Sequence, residues 1–132
     1  MRIYITHCSA KKDPALRDSG RKVTPDKLYT ATPTQRFMNK CKGNRVTWAI
    51  FSDQFGVWFP DVEHEWYEKD PDTVTQTEFE KLLHSFEENL RAYDEILFYH
   101  NPGRFHPLYR RLAQETQLHE KVRLFTHLTD IQ

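Results

Sequence analysis

Four short runs constrain this chain more than any other feature: RIYITH (2–7), VTWAIFS (46–52), EILFYH (95–100) and VRLFTH (122–127). Each is rich in β-branched or aromatic residues and short enough for a strand. The near-continuous apolar stretches WAIF and ILF suit strands covered on both faces. Helical patterns lie between the runs. TPTQRFMNKC begins with Thr32 as an N-cap and Pro33 at the first helical position, and Gly43 and Asn44 supply a stop. Thr75 and Glu78 have capping-box spacing, and Phe79, Leu82, Leu83, Phe86 and Leu90 then repeat as one apolar stripe. PLYRRLAQET opens on Pro107 and puts Leu108 and Leu112 on one face. Strands alternating with helices predict parallel pairing through crossover connections. The expected fold is α/β, a small doubly wound domain with a four-stranded, mainly parallel sheet and helices on both faces.

At 132 residues the chain fits a single α/β domain over 1–132, and its 14% aromatic content supplies bulky core material. No apolar run reaches the length of a membrane span. The first apolar run is too short for a secretory signal, and Lys11-Lys12 follows it. Cys8 and Cys41 form neither a disulfide framework nor a paired-cysteine motif, so free thiols in a reducing cytoplasm are expected. Net charge is zero but unevenly placed. Residues 1–50 carry 11 Lys/Arg against 3 Asp/Glu, and residues 51–95 carry 3 against 13. Such asymmetry fits a basic face for an anion such as nucleic acid, or two solvated faces in balance. Two long connections, 13–31 and 53–74, are either functional or hide a short helix, for which TPDKLYT is the candidate.

In open α/β sheets, ligands bind beyond the carboxyl ends of the strands. Here the first strand ends in His7-Cys8-Ser9 followed by Lys11 and Lys12. The second ends in Ser52-Asp53 and QFGVWFPD, the third in His100-Asn101-Pro102-Gly103-Arg104, and the fourth in Thr126-His127. Parallel pairing puts all four clusters on one edge. Ser9, Lys11, Lys12 and the backbone N–H groups beside them favour phosphate, although the loop lacks the glycines of a Walker motif. Cys8 is a candidate nucleophile beside cations, or a small buried packing residue. Asp53 is a candidate general base or ribose ligand, or a turn cap. Phe55, Trp58 and Phe59 around Gly56 suit base stacking, or form a lid on the core. Gly103 permits close backbone approach, and Arg104 suits an anion or is simply exposed. His7, His100 and His127 raise a zinc site, but no metal is assigned because metal-ligand spacing is absent and imidazoles bonded to carbonyls account for them.

These residues also carry a resemblance. Cys8-Ser9-Ala10-Lys11-Lys12, Leu28-Tyr29, Ser52-Asp53-Gln54-Phe55-Gly56 and Pro60-Asp61 followed by Tyr67 resemble an uncharacterised family of small domains with a Cys-Ser-x-Lys-Lys motif. The match covers roughly the first seventy residues. More distantly, the segment is similar to the Cys-Ser-Ala-Lys-Lys domain of archaeosine synthase and to the YaaA peroxide-stress proteins. Phe55 stands where the family has Tyr, and no Arg follows Tyr67. The resemblance implies modified nucleobases or DNA as context, a fold akin to base-excising glycosidases, and a place in the site for Tyr29.

Two classes of function follow. In one, an enzyme acts on a nucleobase, nucleoside or nucleotide, with Asp53 and Cys8 as catalytic candidates. Ser9, Lys11, Lys12, Tyr29, Ser52, Phe55, Gly56, His100, Asn101, Gly103 and Arg104 would bind substrate. In the other, the basic N-terminal third makes a non-enzymatic nucleic-acid-binding module, or the acidic 61–72 loop meets a protein partner. No motif names a cofactor.

Overall fold

Ile3, Ile5, Ala49, Phe51, Ile96 and Phe98 are almost wholly shielded from solvent, and the strands that carry them pair side by side. The computed structural model describes residues 1–101 and 103–132. Strand β1 (Arg2–His7) lies at the centre. It pairs in parallel with β2 (Trp48–Ser52) on one side and with β4 (Glu95–Tyr99) on the other, and β4 pairs in parallel with β5 (Val122–Phe125). A three-residue strand β3 (Gly56–Trp58) runs antiparallel to β2, which gives the order β3-β2-β1-β4-β5. The sheet is therefore five-stranded and mainly parallel.

The expected count of four strands is one short, and the second, third and fourth apolar runs are each longer than the strands they became. The added strand depends on a hairpin. Ser52 Oγ accepts the N–H groups of Gln54 and Phe55, each at 3.0 Å, and turns the chain back. Gly56 completes the turn at φ 74°, where a Cβ would overlap Ser85, and the Val57 N–H donates to Ser85 Oγ at 3.1 Å.

Alternation along the strands gives the sheet two apolar faces. On one, Phe37 of α2 (Thr32–Asn44) stacks on Tyr99 and meets Trp48 edge-on, with ring centroids 5.9 and 6.4 Å apart. On the other, Phe51 meets Phe86 of α3 (Gln76–Leu90) and Tyr109 of α4 (Pro107–Glu115), at 5.7 and 6.2 Å. Burying each such ring contributes roughly 1.5–3 kcal/mol. The capping box opens α3 as its spacing requires: Glu78 N–H donates to Thr75 Oγ1 at 3.1 Å and Thr75 N–H to Glu78 Oε1 at 2.9 Å. Helix α2 differs from expectation at its start and ends at Asn44, within the expected stop. Its N-cap is Ala31 rather than Thr32, and Arg45, in the left-handed conformation, caps its far end.

The first long connection does contain a short helix, α1 (Pro25–Leu28). Isolated antiparallel bridges, Lys12 to Tyr29 and Val23 to His64, pin both long connections to the body of the protein. Among the described residues, no helix is long and apolar enough to cross a membrane.

Candidate functional site

The ladder runs one residue beyond β1 and β4. Cys8 N–H donates to Phe51 O at 2.9 Å, and His100 N–H to Phe125 O at 3.1 Å. The residues after β1 and β2 therefore emerge together at the carboxyl edge, and Cys8 and Asp53 touch. The Cys8 thiol donates to Asp53 Oδ1 at 3.4 Å, and the Asp53 N–H approaches Sγ at the same distance. The Tyr109 hydroxyl lies 3.2 Å from Sγ. Burial, reinforced by the neighbouring Asp53 carboxylate, pushes the Cys8 thiol up to about 11. The sulfur is thus held as a thiol, without the lowered pKa of a reactive thiolate. Burial also raises Asp53, opposed by the Cys8 hydrogen bond and the positive fields of Lys12 and Lys69.

Lys12 is only 7% exposed. Its Nζ lies 4.4 Å from the centroid of the Tyr67 ring, with Tyr29 and Trp66 near 6 Å, and its hydrogen bond to Ala10 O is long, at 3.4 Å. Among the described residues, no carboxylate pairs with it within 4.0 Å. Burial lowers its pKa, as it must for an ammonium taken from water without a close counter-ion.

Tyr67 supplies the platform. Its hydroxyl meets the Tyr29 hydroxyl at 2.5 Å and accepts from Ser52 Oγ at 3.1 Å. Burial raises both phenols far above their ordinary range, so the platform stays neutral.

These groups surround an inner compartment of about 230 Å³, which Ser9, Arg104 and His106 also line. An outer compartment of about 850 Å³ adjoins it, lined by Trp66, Glu68, Asp70 and Thr73. Ala10, Lys12, Lys69 and Pro71 border both.

Of the residues that sequence reasoning assembled, Cys8, Ser9, Lys12, Asp53 and Arg104 share the inner compartment. Ser9 is fixed there by Thr34, whose hydroxyl donates to Ser9 Oγ at 3.2 Å. Tyr29 and Ser52 lie beneath it, reaching it through Tyr67. The others lie outside. Lys11 is exposed, and its carbonyl accepts from Thr30 N–H at 3.2 Å. The Lys12–Tyr29 bridge turns Lys12 inward, and its neighbour therefore outward. Phe55 is stacked on His64 at 3.9 Å and belongs to the hairpin, as does Gly56. Trp58 is buried in the core. His100 stacks on Phe105 at 4.5 Å, and its buried Nδ1 has no hydrogen-bond partner among the described residues. Asn101 accepts from Arg104 N–H at 3.0 Å in the turn that includes Gly103. Pro102, part of the same expected cluster, lies outside the described residues.

His7 stacks on Tyr109 at 4.8 Å and bonds the Cys8 carbonyl through Nδ1 at 2.8 Å, while burial lowers its pKa. Among the described residues, no group of three or more His, Cys, Asp or Glu is arranged to hold a metal ion.

Tyr109, Lys69, Trp66 and His106 join the site without having been singled out. Two of them leave a trace in the sequence. Lys69 is the sole cation among six acidic residues in 61–72, and Tyr109 is an aromatic beside Leu108 on the apolar side of its helix. Fold and site together define a mixed α/β protein with a two-compartment cleft at the carboxyl edge of its parallel strands. Comparison with known protein families, curated proteins and solved structures finds no match.

Proposed function

We propose that the protein binds and processes a nucleoside or nucleotide in this cleft. Lys12 and Arg104 hold its anionic part, and Asp53 performs the proton transfer. The observation that carries the reading is the buried Lys12 ammonium at the wall of a cavity, which feels the Asp53 charge but has no carboxylate within 4.0 Å among the described residues. Such a charge is costly unless a ligand neutralises it. Asp53 suits proton chemistry because burial raises its pKa above the ordinary carboxylate value while the Cys8 hydrogen bond and the charges of Lys12 and Lys69 oppose that rise.

A doubly wound arrangement, with α2 on one face of the sheet and α3 and α4 on the other, supports placing the ligand beyond the strand ends. The likeness of the Cys8–Lys12 segment to proteins of modified-base metabolism favours the same class of substrate, including cleavage of a glycosidic bond. Two free buried thiols, Cys8 and Cys41, suit a reducing cytoplasm.

The test is calorimetric titration of nucleosides and nucleotides, followed by chromatography for turnover. Wild-type protein is expected to bind a nucleotide. Lys12→Met should lose that binding, and Asp53→Asn should keep it while losing turnover. Equal binding by wild type and Lys12→Met would overturn the reading.

A further inference from the structure

Lys69 issues from the acidic loop yet is turned inward, with its side chain only 16% exposed. Its Nζ donates to Glu78 Oε2 at 2.8 Å, while Oε1 of the same carboxylate caps α3 by accepting the Thr75 N–H at 2.9 Å. The helix cap therefore anchors the lysine. Lys12, which follows β1, and Lys69, from the second long connection, each border both compartments, so both line the boundary between them, the neck of the cleft. The inner space of about 230 Å³ is below the size that encloses a whole drug-sized ligand, whereas the outer space of about 850 Å³ is ample. A ligand that reaches Asp53 from the outer compartment crosses that boundary and comes alongside both lysines. Beyond them it meets the Trp66 indole and the acceptor carboxylates of Glu68 and Asp70. That lining suits an aromatic ring bearing N–H donors.

We infer that the ligand spans both compartments, with its phosphate at the Lys12–Lys69 neck, an amino-bearing base on Trp66 outside, and a smaller sugar-like group beside Asp53 inside. The class is a nucleotide esterified through phosphate to a second, smaller group. Free bases, nucleosides and inorganic phosphate fill only part of the cleft. This deepens the function proposed above and rests on it.

Trp48 and Trp58 are 5% and 0% exposed, so the half-buried Trp66 is the tryptophan whose fluorescence a bound base should quench. Adenosine diphosphate ribose, adenosine monophosphate, adenosine and ribose 5-phosphate are titrated against wild type, Trp66→Phe, Lys69→Gln and Lys69→Arg, with folding checked by circular dichroism. Adenosine diphosphate ribose should bind tightest and quench Trp66. Lys69→Gln should weaken it about tenfold or more, and Lys69→Arg should restore most of the loss. Ribose 5-phosphate, which fits inside the neck, should bind Trp66→Phe as well as wild type and leave the fluorescence unchanged. If ribose 5-phosphate binds as tightly as the larger compounds and Trp66 never responds, the ligand occupies the inner compartment alone. The inference then falls and the proposed function stands. If no phosphorylated compound binds, both fall.

Discussion

At the amino end of the parallel strands, the Met1 ammonium donates to Asp94 at 2.6 Å and Arg2 stands 3.6 Å from Glu95, with Met1, Arg2 and Asp94 exposed and Glu95 partly so. At the carboxyl end, Lys12 and Asp53 are 7% and 4% exposed, and among the described residues neither has an oppositely charged group within 4.0 Å. Both edges carry charge, under opposite conditions. Exposed pairs exchange water for each other at little gain or loss. Buried charges without a close counter-charge cost free energy in every folded molecule, and a chain that keeps them at one edge keeps them for something other than stability. The contrast locates the site independently of any motif.

The largest expected effect at the carboxyl edge comes from packing. The Tyr109 ring stacks on His7 and meets Phe51, and its hydroxyl reaches the Cys8 sulfur. Tyr109→Ala should cost roughly 3–5 kcal/mol of unfolding free energy, as for other large buried rings. Tyr109→Phe should cost only about 1 kcal/mol, the worth of one hydrogen bond. Denaturant titration of both variants separates the two. Equal losses would mean that the hydroxyl rather than the ring holds this edge together.

Next is Lys12→Met. Nucleotide affinity should fall by roughly 1.5–3 kcal/mol, the worth of a charge-assisted contact, while unfolding stability holds or rises because a desolvated charge has gone. A drop in stability with affinity intact would reverse the contrast, making Lys12 a structural group.

A pH profile sharpens the same point. Burial lowers Lys12 from 10.5, so its charge is lost earlier on alkaline titration than that of an exposed lysine. Anion affinity should fall as pH rises through that lowered value, and Lys12→Met should flatten the fall. Stability moves the other way. Between the lowered folded value and 10.5 the unfolded chain binds more protons, so Lys12 adds stability as pH rises. Cys8 opposes it, because a thiol raised from 9.0 to about 11 makes the folded chain bind more protons across that interval. Comparing Lys12→Met with Cys8→Ala in alkaline denaturant titrations should show slopes of opposite sign relative to wild type.

What sequence reading recovers and what it misses divide by range. The Thr75–Glu78 capping box and the parallel runs are local signals and appear where expected. The β3 hairpin is not local. It spans three residues and depends on Ser85, 28 positions beyond Val57. Lys11 and Lys12 are chemically identical in sequence, and only the bridge to Tyr29 chooses between them. Phe55 has the right chemistry in the right neighbourhood, but His64, brought back by the second long connection, takes its ring face. Convergence on one edge was legible from strand order. Which side chains face the cleft depends on loops, and loop direction is set by contacts between residues far apart in the chain.

The smallest expected effect belongs to the amino edge. Burial opposes ionisation of Asp94 only weakly, and its lowered pKa comes first from its hydrogen bond to the N-terminal ammonium and then from that group's charge. A depressed carboxyl contributes stability above its unfolded pKa and loses it as pH falls through the folded one. Asp94 should therefore matter only in acid, and little even there, because both partners stand in water and salt screens them. Asp94→Asn should leave the thermal midpoint at neutral pH indistinguishable from wild type and leave nucleotide affinity unchanged. Added salt should erase any residual difference. A clear loss of stability at neutral pH that persists in high salt would show that the terminal ammonium clamps β1 to β4, and the contrast between the two edges would then be one of degree.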